Sequence, residues 1–301
     1  MSFKRRAIQL TFQLAQGATF KESGTNELTL PQGLRISANI SALGGVSMSH
    51  AEVRVYGLTL SHMNALGRYV RLADGRLIQQ LNNLIIKAGN YGETLQTVFQ
   101  GQIQISNIQM GGVPDAVLEL SAYAGSFAAV QMIPPTSYSV PFTVEGALSD
   151  LAATGGYAFY NYGVSKQFDR GYYWGTVREQ MLQIVHDADI EWNGLQFGTL
   201  EIWPKGGGRE GLISLISPET GLVGYPTNFE IGVAVLTEFN GNLRQGGLCE
   251  VRSSLGFANG AKYRITKVDH ELESEMPNGR WFTAIHGFPM DSDLFSPQKP
   301  Q

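Results

Sequence analysis

Acidic and histidine side chains come closest together in the sequence at His186-Asp187-Ala188-Asp189, where a metal or an acid–base pair could be built. In a helix, however, Asp187 and Asp189 would point about 200° apart, so they cannot share one face. None of the five histidines forms an HExxH pair or a comparable short zinc spacing. We interpret the stretch as the solvent-exposed end of a helix and expect no metal.

A second pattern, Gly206-x-Gly208-x-x-Gly211, has the form of a dinucleotide-binding loop. Such a loop must open a helix that faces the pyrophosphate. Here it precedes Leu212–Ile216, an apolar segment typical of a strand. The context predicts a glycine-rich hairpin between Leu200–Trp203 and Leu212–Ile216, and no cofactor.

The remaining candidates for chemistry are also weak. Cys249 is the only cysteine and lies in LCEVRS, which predicts a buried, apolar thiol and excludes a disulfide framework. His270 lies between Asp269 and Glu271 in a strand pattern, which indicates a solvated or hydrogen-bonded histidine. No nucleophile elbow, P-loop or kinase signature occurs. Any two of the 26 acids could still converge as paired carboxylates, but we interpret the chain as a non-enzyme.

Composition describes an ordinary folded protein with little charge. Of 301 residues, 43% are apolar and 16% charged, and 22 basic against 26 acidic side chains give a net charge of −4. The basic footprint of a nucleic-acid binder is missing, so DNA could pass such a surface without adhering. The first residues alternate apolar and polar side chains, unlike a signal peptide, and no apolar run approaches the ~18 residues of a membrane span. We expect synthesis and folding in a reducing cytoplasm.

The first part of the chain has the period-two pattern of β-strands. The predicted strands are Ala7–Ala15, Leu34–Ile40, Ala51–Tyr56, Leu84–Lys87, Thr97–Ser106 and Val117–Tyr123. Thr59–Gly67 follows helical spacing instead and predicts a short helix capped by Ser61. Six or more strands with glycine-rich turns favour a closed barrel or sandwich, because closure removes exposed edges.

The character of the sequence changes after Gly125–Pro141, a proline-containing linker. One amphipathic helix is predicted to begin after Thr143 and to stop at Gly155-Gly156, and a second begins after Thr176, 33 residues later. Each helix leads into an aromatic extended segment, Tyr157–Tyr160 and Ile190–Trp192. The pattern predicts a small α+β domain built on a degenerate repeat.

Strands resume after Ser217–Thr227, a stretch dense in glycine and proline that predicts a shaped loop. The predicted strands are Phe229–Phe239, Leu248–Ser253, Tyr263–Leu272 and Trp281–Phe288, with Asn-Gly turns at Asn240, Asn259 and Asn278. We therefore expect a mainly β protein with an α+β insert. The predicted domains are a first tube-like β-barrel over 1–126, a small α+β domain over 127–216, a second tube-like β-barrel over 217–290 and a flexible tail over 291–301.

Ser41–His50, SALGGVSMSH, joins two predicted strands and is too long for a tight hairpin. It could be a mobile surface loop or an interaction loop that orders against a neighbouring subunit. The second alternative makes its centre a candidate subunit contact. The candidate residues are Gly44, Gly45, Val46, Ser47 and Met48.

The order of these segments resembles the baseplate hub proteins of contractile phage tails, the late-control-protein-D-like family. The resemblance rests on AEVRVYGLTLSHMNALGRY, LIIKAGNYGETLQTVFQGQIQ, the helices after Thr143 and Thr176, ISPETGLVGYPTNFEIGVAV and YRITKVDHELESEMPNGRWFTAIHGFP. These segments extend over nearly the whole chain. None of them is catalytic.

This resemblance implies a homotrimer in which two tube-like barrels per chain form a pseudo-hexameric ring. The ring would connect the tail tube protein above to the central spike protein below, contact other baseplate (wedge) proteins, and let DNA pass without specific binding. The protein would be a virion component assembled in the host cytoplasm.

Two alternatives come from other functional classes. A cell-surface glycan-binding protein would use an aromatic platform, for which Tyr172, Tyr173 and Trp174 are candidates, unless they pack against the second helix. A cell-wall hydrolase is the other alternative, and it has no motif in its favour.

Overall fold

The computed structural model describes residues 4–15, 17–67, 81–111, 116–209, 211, 213–229 and 232–289. The helices are α1 (Leu60–Leu66), α2 (Ser126–Val130), α3 (Val144–Gly155) and α4 (Val177–Asp187), with 3-10 turns at Gln196–Gly198, Pro218–Thr220 and Gly256–Ala258. The strands of the first region are β1 (Arg6–Gln13), β2 (Glu27–Thr29), β3 (Ile36–Leu43), β4 (His50–Tyr56), β5 (Asn83–Asn90), β6 (Gln96–Gln109) and β7 (Val117–Tyr123).

The middle and last regions contribute the other strands. In the middle lie β8 (Thr136–Tyr138), β9 (Phe142–Thr143), β10 (Ala158–Asn161), β11 (Gln167–Phe168), β12 (Gly171–Tyr173), β13 (Ile190–Trp192) and β14 (Thr199–Pro204). The last region holds β15 (Ser214–Ile216), β16 (Thr227–Phe229), β17 (Gly232–Glu238), β18 (Leu248–Val251), β19 (Ala261–Ser274) and β20 (Trp281–Pro289). The expectation of a mainly β protein is confirmed.

The first and last regions share one sheet of 13 strands. Its main path runs β16-β17-β20-β19-β3-β4-β7-β6-β5-β1-β2, with β18 beside β19 and β15 beside β18. The junction is the antiparallel pair of β3 and β19, in register from Lys267 opposite Leu43 to Ser274 opposite Ile36. Within the described residues, β16 and β2 are the two ends of this path and do not pair with each other. Closure into two barrels therefore stays a prediction.

Three apolar clusters lie under these elements. The first fills the region of β1 and β3 to β7 around Phe12, and it also takes Leu272 and Trp281 from the end of β19 and the start of β20. The second packs α3 and α4 on the three-stranded sheet β10-β14-β13. The third lies between β17, β18, β19 and β20 around Ile285. Because β19 and β20 contribute to two clusters, the two β regions are packed together. The predicted domain boundaries stay a prediction.

The helix signals in the sequence identify the insert correctly. Thr143 and Thr176 are the N-caps of α3 and α4, and Thr176 forms a reciprocal capping box with Glu179. Gly156 ends α3 in the left-handed conformation at φ 77°. The extended segments after the two helices, β10 and β13, flank β14 on either side. In contrast, α1 is capped by Thr59, whose hydroxyl accepts from the His62 N–H, and not by Ser61.

Four sequence predictions are wrong, and two of them fail because a strand pairs with a distant partner. The segment Gly125–Pro141 is not only a linker, because it contains α2 and β8. The glycine-rich stretch after β14 is not a hairpin, since β15 pairs in parallel with β18. Asn240-Gly241 is not a hairpin turn, because β17 pairs with β20. The predicted strand Phe229–Phe239 is divided between β16 and β17, which form a hairpin of their own.

Some predictions fall on residues outside the described ranges. They include the tail over 291–301, residues 230 and 231 of the predicted strand, and the last two residues of the family-like segment that ends at Tyr69. None of the helices in the described ranges has the length and apolar character that a bilayer crossing needs.

Candidate interaction surfaces

The predicted contact loop is the connection between β3 and β4, and we call Gly44–Met48 the tip. Val46 is a large apolar side chain that is 78% exposed. Gly44 lies against the side chain of Gln245, with no room for a Cβ atom, and Gly45 has φ +77°. These two glycines let the chain turn sharply while it remains in contact with neighbouring elements. The structure places all five candidate residues together on this tip, and their role as a subunit contact stays a prediction.

Side chains from the insert hold the backbone of the tip. Arg178 Nη2 on α4 donates to the Val46 carbonyl at 2.7 Å, and Trp192 Nε1 on β13 donates to the Gly45 carbonyl at 3.0 Å. At the base of the tip, Gln196 Nε2 donates to Ser49 Oγ at 2.7 Å. The tip is therefore bound to the insert of its own chain, in a shape that the insert sets.

The turn that carries Gln196 has an unusual backbone. Leu195 and Phe197 have φ values of 66° and 57°, in the left-handed region that side chains other than glycine rarely adopt. Asn193 stabilises the turn, since its Oδ1 accepts the N–H groups of Leu195 and Glu201 at 3.2 and 3.1 Å. Strain of this kind persists only where its surroundings fix it. Here the strained turn directs the Gln196 side chain to Ser49 at the base of the tip.

Two ion pairs involve the sheet strands of the insert. Glu201 on β14 is buried, and its Oε2 lies 2.6 Å from Nε of Arg209, in the segment that follows β14. Glu191 on β13 pairs with Arg264 on β19 and also accepts from Trp203 Nε1 at 3.1 Å. Charges this far from solvent require partners, because desolvation would otherwise dominate. The pair of Glu191 with Arg264 thus connects the insert to the large sheet.

The solvent face of the sheet is polar along its centre. One row of paired positions crosses the sheet through Leu236, Ala284, Asp269, Ser41, His50 and Tyr123. The next row crosses through Glu238, Phe282, Glu271, Asn39, Glu52 and Ser121. The opposite face of the same strands covers the first and third clusters. A single polar face therefore spans both β regions.

This polar face is acidic. Its carboxylates are Glu52, Glu119, Glu238, Asp269, Glu271 and Glu273, and its cationic side chains are Arg35, Arg54, Lys267 and Arg280. Three of these cations form ion pairs, Arg54 with Glu119 at 3.0 Å, Lys267 with Asp269 at 2.7 Å and Arg280 with Glu271 at 2.8 Å. Arg35 stacks on the ring of Tyr56 instead. The excess charge on the face is consequently negative.

A ribbon of β8 and β12 presents aromatic side chains to solvent. Tyr172 and Trp174 are 64% and 61% exposed, whereas Tyr173 between them is buried against Tyr138 and Phe142. The alternative of packing against the second helix therefore applies to Tyr173, which shares the second cluster with side chains of α4, and not to the exposed side chains of Tyr172 and Trp174. Gln183 on α4 donates to the Trp174 carbonyl at 2.9 Å and fixes the backbone beneath the exposed indole.

The candidate catalytic and metal residues do not converge. His186 lies in the last turn of α4 with its side chain 92% exposed, which confirms the exposed helix end. Lys205 donates to Asp189 at 2.7 Å, and this bond holds the pKa of Asp189 below its usual value. Cys249 is buried, and burial raises the pKa of its thiol to about 12. In the described part of the chain, no group of three or more His, Cys, Asp or Glu side chains is arranged to hold a metal.

His270 lies on the core side of β19. Its Nδ1 is 2.9 Å from Thr283 Oγ1 on β20, and its ring meets Phe239 edge to face. The hydrogen-bonded alternative of the sequence interpretation is the correct one. Burial lowers the pKa of His270 to about 4, against a smaller raising effect of the Asp269 carboxylate.

Sequence patterns missed the contacts of Arg178, Trp192 and Gln196 with the tip. Arg178 occupies a helical position that counts as polar, although its side chain is buried. One signal was present: the sequence WNGLQFG places two glycines around a turn rich in buried side chains. Its partner in the β3–β4 connection is about 150 residues away, as the Gln196 to Ser49 separation shows.

Comparisons with known proteins give structural likeness without sequence likeness. No protein-family model matches the sequence, and no curated protein matches it either. The 43 kDa tail protein of prophage MuSo2 from Shewanella oneidensis superimposes with a TM-score of 0.57 at 11% identity, over 94% of this chain and 98% of that one. A tail protein from Neisseria meningitidis MC58 gives 0.58 at 10% identity, over 94% and 96%.

A third similar structure comes from a secretion system. The E. coli c3393 protein is described as a type VI secretion component with structural similarity to the T4 bacteriophage tail proteins gp27 and gp5. It gives a TM-score of 0.57 at 9% identity, over 86% of this chain and 74% of that one. The resemblance drawn from the sequence is thereby confirmed at the level of the fold: this chain has the fold of phage tail proteins.

Proposed function

We propose that this protein is the structural hub of a phage tail baseplate. Three copies would form a pseudo-hexameric ring that connects the tail tube to the central spike, contacts the wedge proteins and surrounds the DNA channel. The observation that carries the proposal is the single sheet that spans both β regions and bears one acidic face. Two β regions in each of three chains provide six similar units, which suits a junction between sixfold and threefold assemblies.

The acidic face supports a role as the channel wall. Phosphates on passing DNA would be repelled by the excess carboxylates on β4, β7, β17 and β19, so the DNA would slide without binding. The type VI component with likeness to gp27 and gp5 supports a position beside a spike. We assign the protein a structural role without catalysis, as a virion component assembled in the host cytoplasm.

The first test is the solution mass of the purified protein by light scattering, followed by class-averaged electron micrographs of the main peak. We expect a ring of three subunits with a central hole. A protein that stays monomeric, alone and after addition of its spike protein, would contradict the proposal.

The tip gives this test a matched pair of variants. Val46→Glu should weaken the trimer, because a charge would enter the proposed subunit contact without a partner. Val140→Glu is the control, since Val140 is also an exposed valine, at 65%, and lies between β8 and β9 of the insert. Equal trimer content in both variants would remove the tip from the proposed contact.

The exposed Tyr172 and Trp174 favour a second candidate function, glycan binding. Aromatic faces stack on sugar rings, and the Gln183 bond already holds the Trp174 backbone. If this function holds, Trp174→Ala should abolish binding to a hit on a glycan array. Tyr160→Ala, an exposed tyrosine on β10, should leave that binding unchanged. An array without a binder would eliminate the candidate.

A further inference from the structure

Arg178 is a charged side chain buried beneath the tip, with 8% of its surface exposed. Its Nη2 donates to the Val46 carbonyl at 2.7 Å, and its guanidinium lies 5.6 Å from the centre of the Trp192 ring. Its buried Nε has no hydrogen-bond partner among the described residues. Within the same residues, no carboxylate forms an ion pair with it. The guanidinium is thus shielded from water, and a carbonyl acceptor and an aromatic ring are its partners in place of water.

Such an arrangement does not serve stability well. Desolvation of a guanidinium costs several kcal/mol, and one carbonyl bond and a ring contact offset only part of that cost. An apolar side chain of similar length would fill the same space without the charge. What the arginine provides, and an apolar residue cannot, is the hydrogen bond to the carbonyl of the exposed Val46.

We infer that Arg178 is a positioning residue, which, together with Trp192, fixes the shape of the tip for docking against a second copy of this chain. The inference rests on the proposed function, since the tip is the subunit contact of the proposed trimer. Trp192 holds the Gly45 carbonyl and Arg178 the next carbonyl along the chain. Two successive peptide groups are therefore fixed by the insert, while the Val46 side chain is exposed to solvent. A contact surface fixed in advance associates more tightly, because less freedom is lost on binding.

The test measures tip motion directly. Ser47→Cys places a reactive thiol on the tip for a nitroxide label, and Cys249 is too buried to compete for the label. In this background, Arg178→Met and Trp192→Phe should each sharpen the electron paramagnetic resonance lines, which report motion on the nanosecond scale. Arg178→Lys, which keeps one donor within reach of the Val46 carbonyl, should restore part of the broadening. Arg170→Met is the matched control, because Arg170 is an exposed arginine of the insert.

Stability and assembly complete the experiment. Arg178→Met should melt at or above the temperature of the natural protein, since an apolar side chain replaces a desolvated charge. Without the label, the same variant should associate about tenfold more weakly, because only part of its population has the docking shape. Unchanged line shapes in Arg178→Met would overturn the inference whatever the assembly state. If the natural protein forms no trimer, the proposed function fails, and the line shapes still decide whether Arg178 positions the tip.

Discussion

Replacing Glu201 with glutamine is expected to lower the free energy of unfolding by about 3 kcal/mol. Glu201 is buried, and its carboxylate lies 2.6 Å from Arg209 Nε in an ion pair whose arginine side chain is 19% exposed. The substitution leaves that guanidinium without its countercharge in a site where water reaches it poorly. The cost of an unpaired charge exceeds the value of the pair itself, so loss of one partner destabilises strongly.

The effect should be specific to this buried pair. Urea unfolding, followed by the fluorescence of the four tryptophans, of which Trp192 and Trp203 are fully buried, measures the free energy. Glu250→Gln removes the corresponding carboxylate from an exposed pair with Arg252, and it should cost less than about 1 kcal/mol. Adding Arg209→Met to Glu201→Gln should recover much of the loss, because the unpaired charge is removed with its partner. Equal losses in Glu201→Gln and Glu250→Gln would show that burial does not govern this pair.

Local signals in the sequence predicted the elements well. The caps at Thr143 and Thr176 and the stop at Gly156 depend on backbone groups within four residues, so the pattern contains all the information required. Alternation in Val117–Tyr123 likewise identifies β7 residue for residue, because its one buried face fixes the period. Asn278-Gly279 connects two strands that do pair, β19 and β20.

Pairing between distant strands could not be predicted in the same way. The same Asn-Gly signal at Asn240 precedes a strand that pairs elsewhere, since β20 occupies the place beside β17. The length of β19 is the physical reason why the two β regions join. After its register shift at Ile265, it continues along β3 for eight positions and carries Leu272 into the first cluster. Nothing in the local pattern of β19 distinguishes this extension from an ordinary edge strand.

The sequence left two alternatives for the uncharged, glycine-containing stretch at Gly44, a mobile surface loop or an interaction loop, and a role as subunit contact stays a prediction. The structure shows a contact that neither alternative included: the loop is held by the insert of its own chain. The subunit contact requires only that Val46 face outward, and it does. The tip can therefore be hydrogen-bonded to the insert of its own chain and still contact a second subunit. The bonds from the insert would fix the tip in the shape that the subunit contact requires.

Acid is expected to destabilise the protein through His270, with a loss of up to about 3 kcal/mol between pH 6.5 and pH 4. In the folded chain, burial lowers the pKa of this histidine to about 4, whereas in the unfolded chain the group titrates near 6.5. Between these values the unfolded state binds more protons, so stability is complete above about pH 6.5 and decreases as the pH falls towards 4. Below pH 4 this group contributes no further change.

The groups around His270 explain why the ring stays neutral. Thr283 on β20 is its hydrogen-bond partner, Phe239 contacts the ring, and the flanking Asp269 carboxylate lies on the opposite, solvent face of β19. His270→Gln should flatten the dependence of the unfolding free energy on pH between 6.5 and 4, while the carboxylates continue to titrate. His186→Gln changes a histidine whose side chain is 92% exposed and should leave the profile as it is. Identical profiles for the natural protein and His270→Gln would mean that His270 has the same pKa in the folded and the unfolded state.

Protonation of His270 is also expected to open the contact between the two β regions first, because Val268 and Leu272, on either side of it, belong to different clusters. Hydrogen exchange at pH 5 should then rise in β19 and β20 before it rises in β4 and β7.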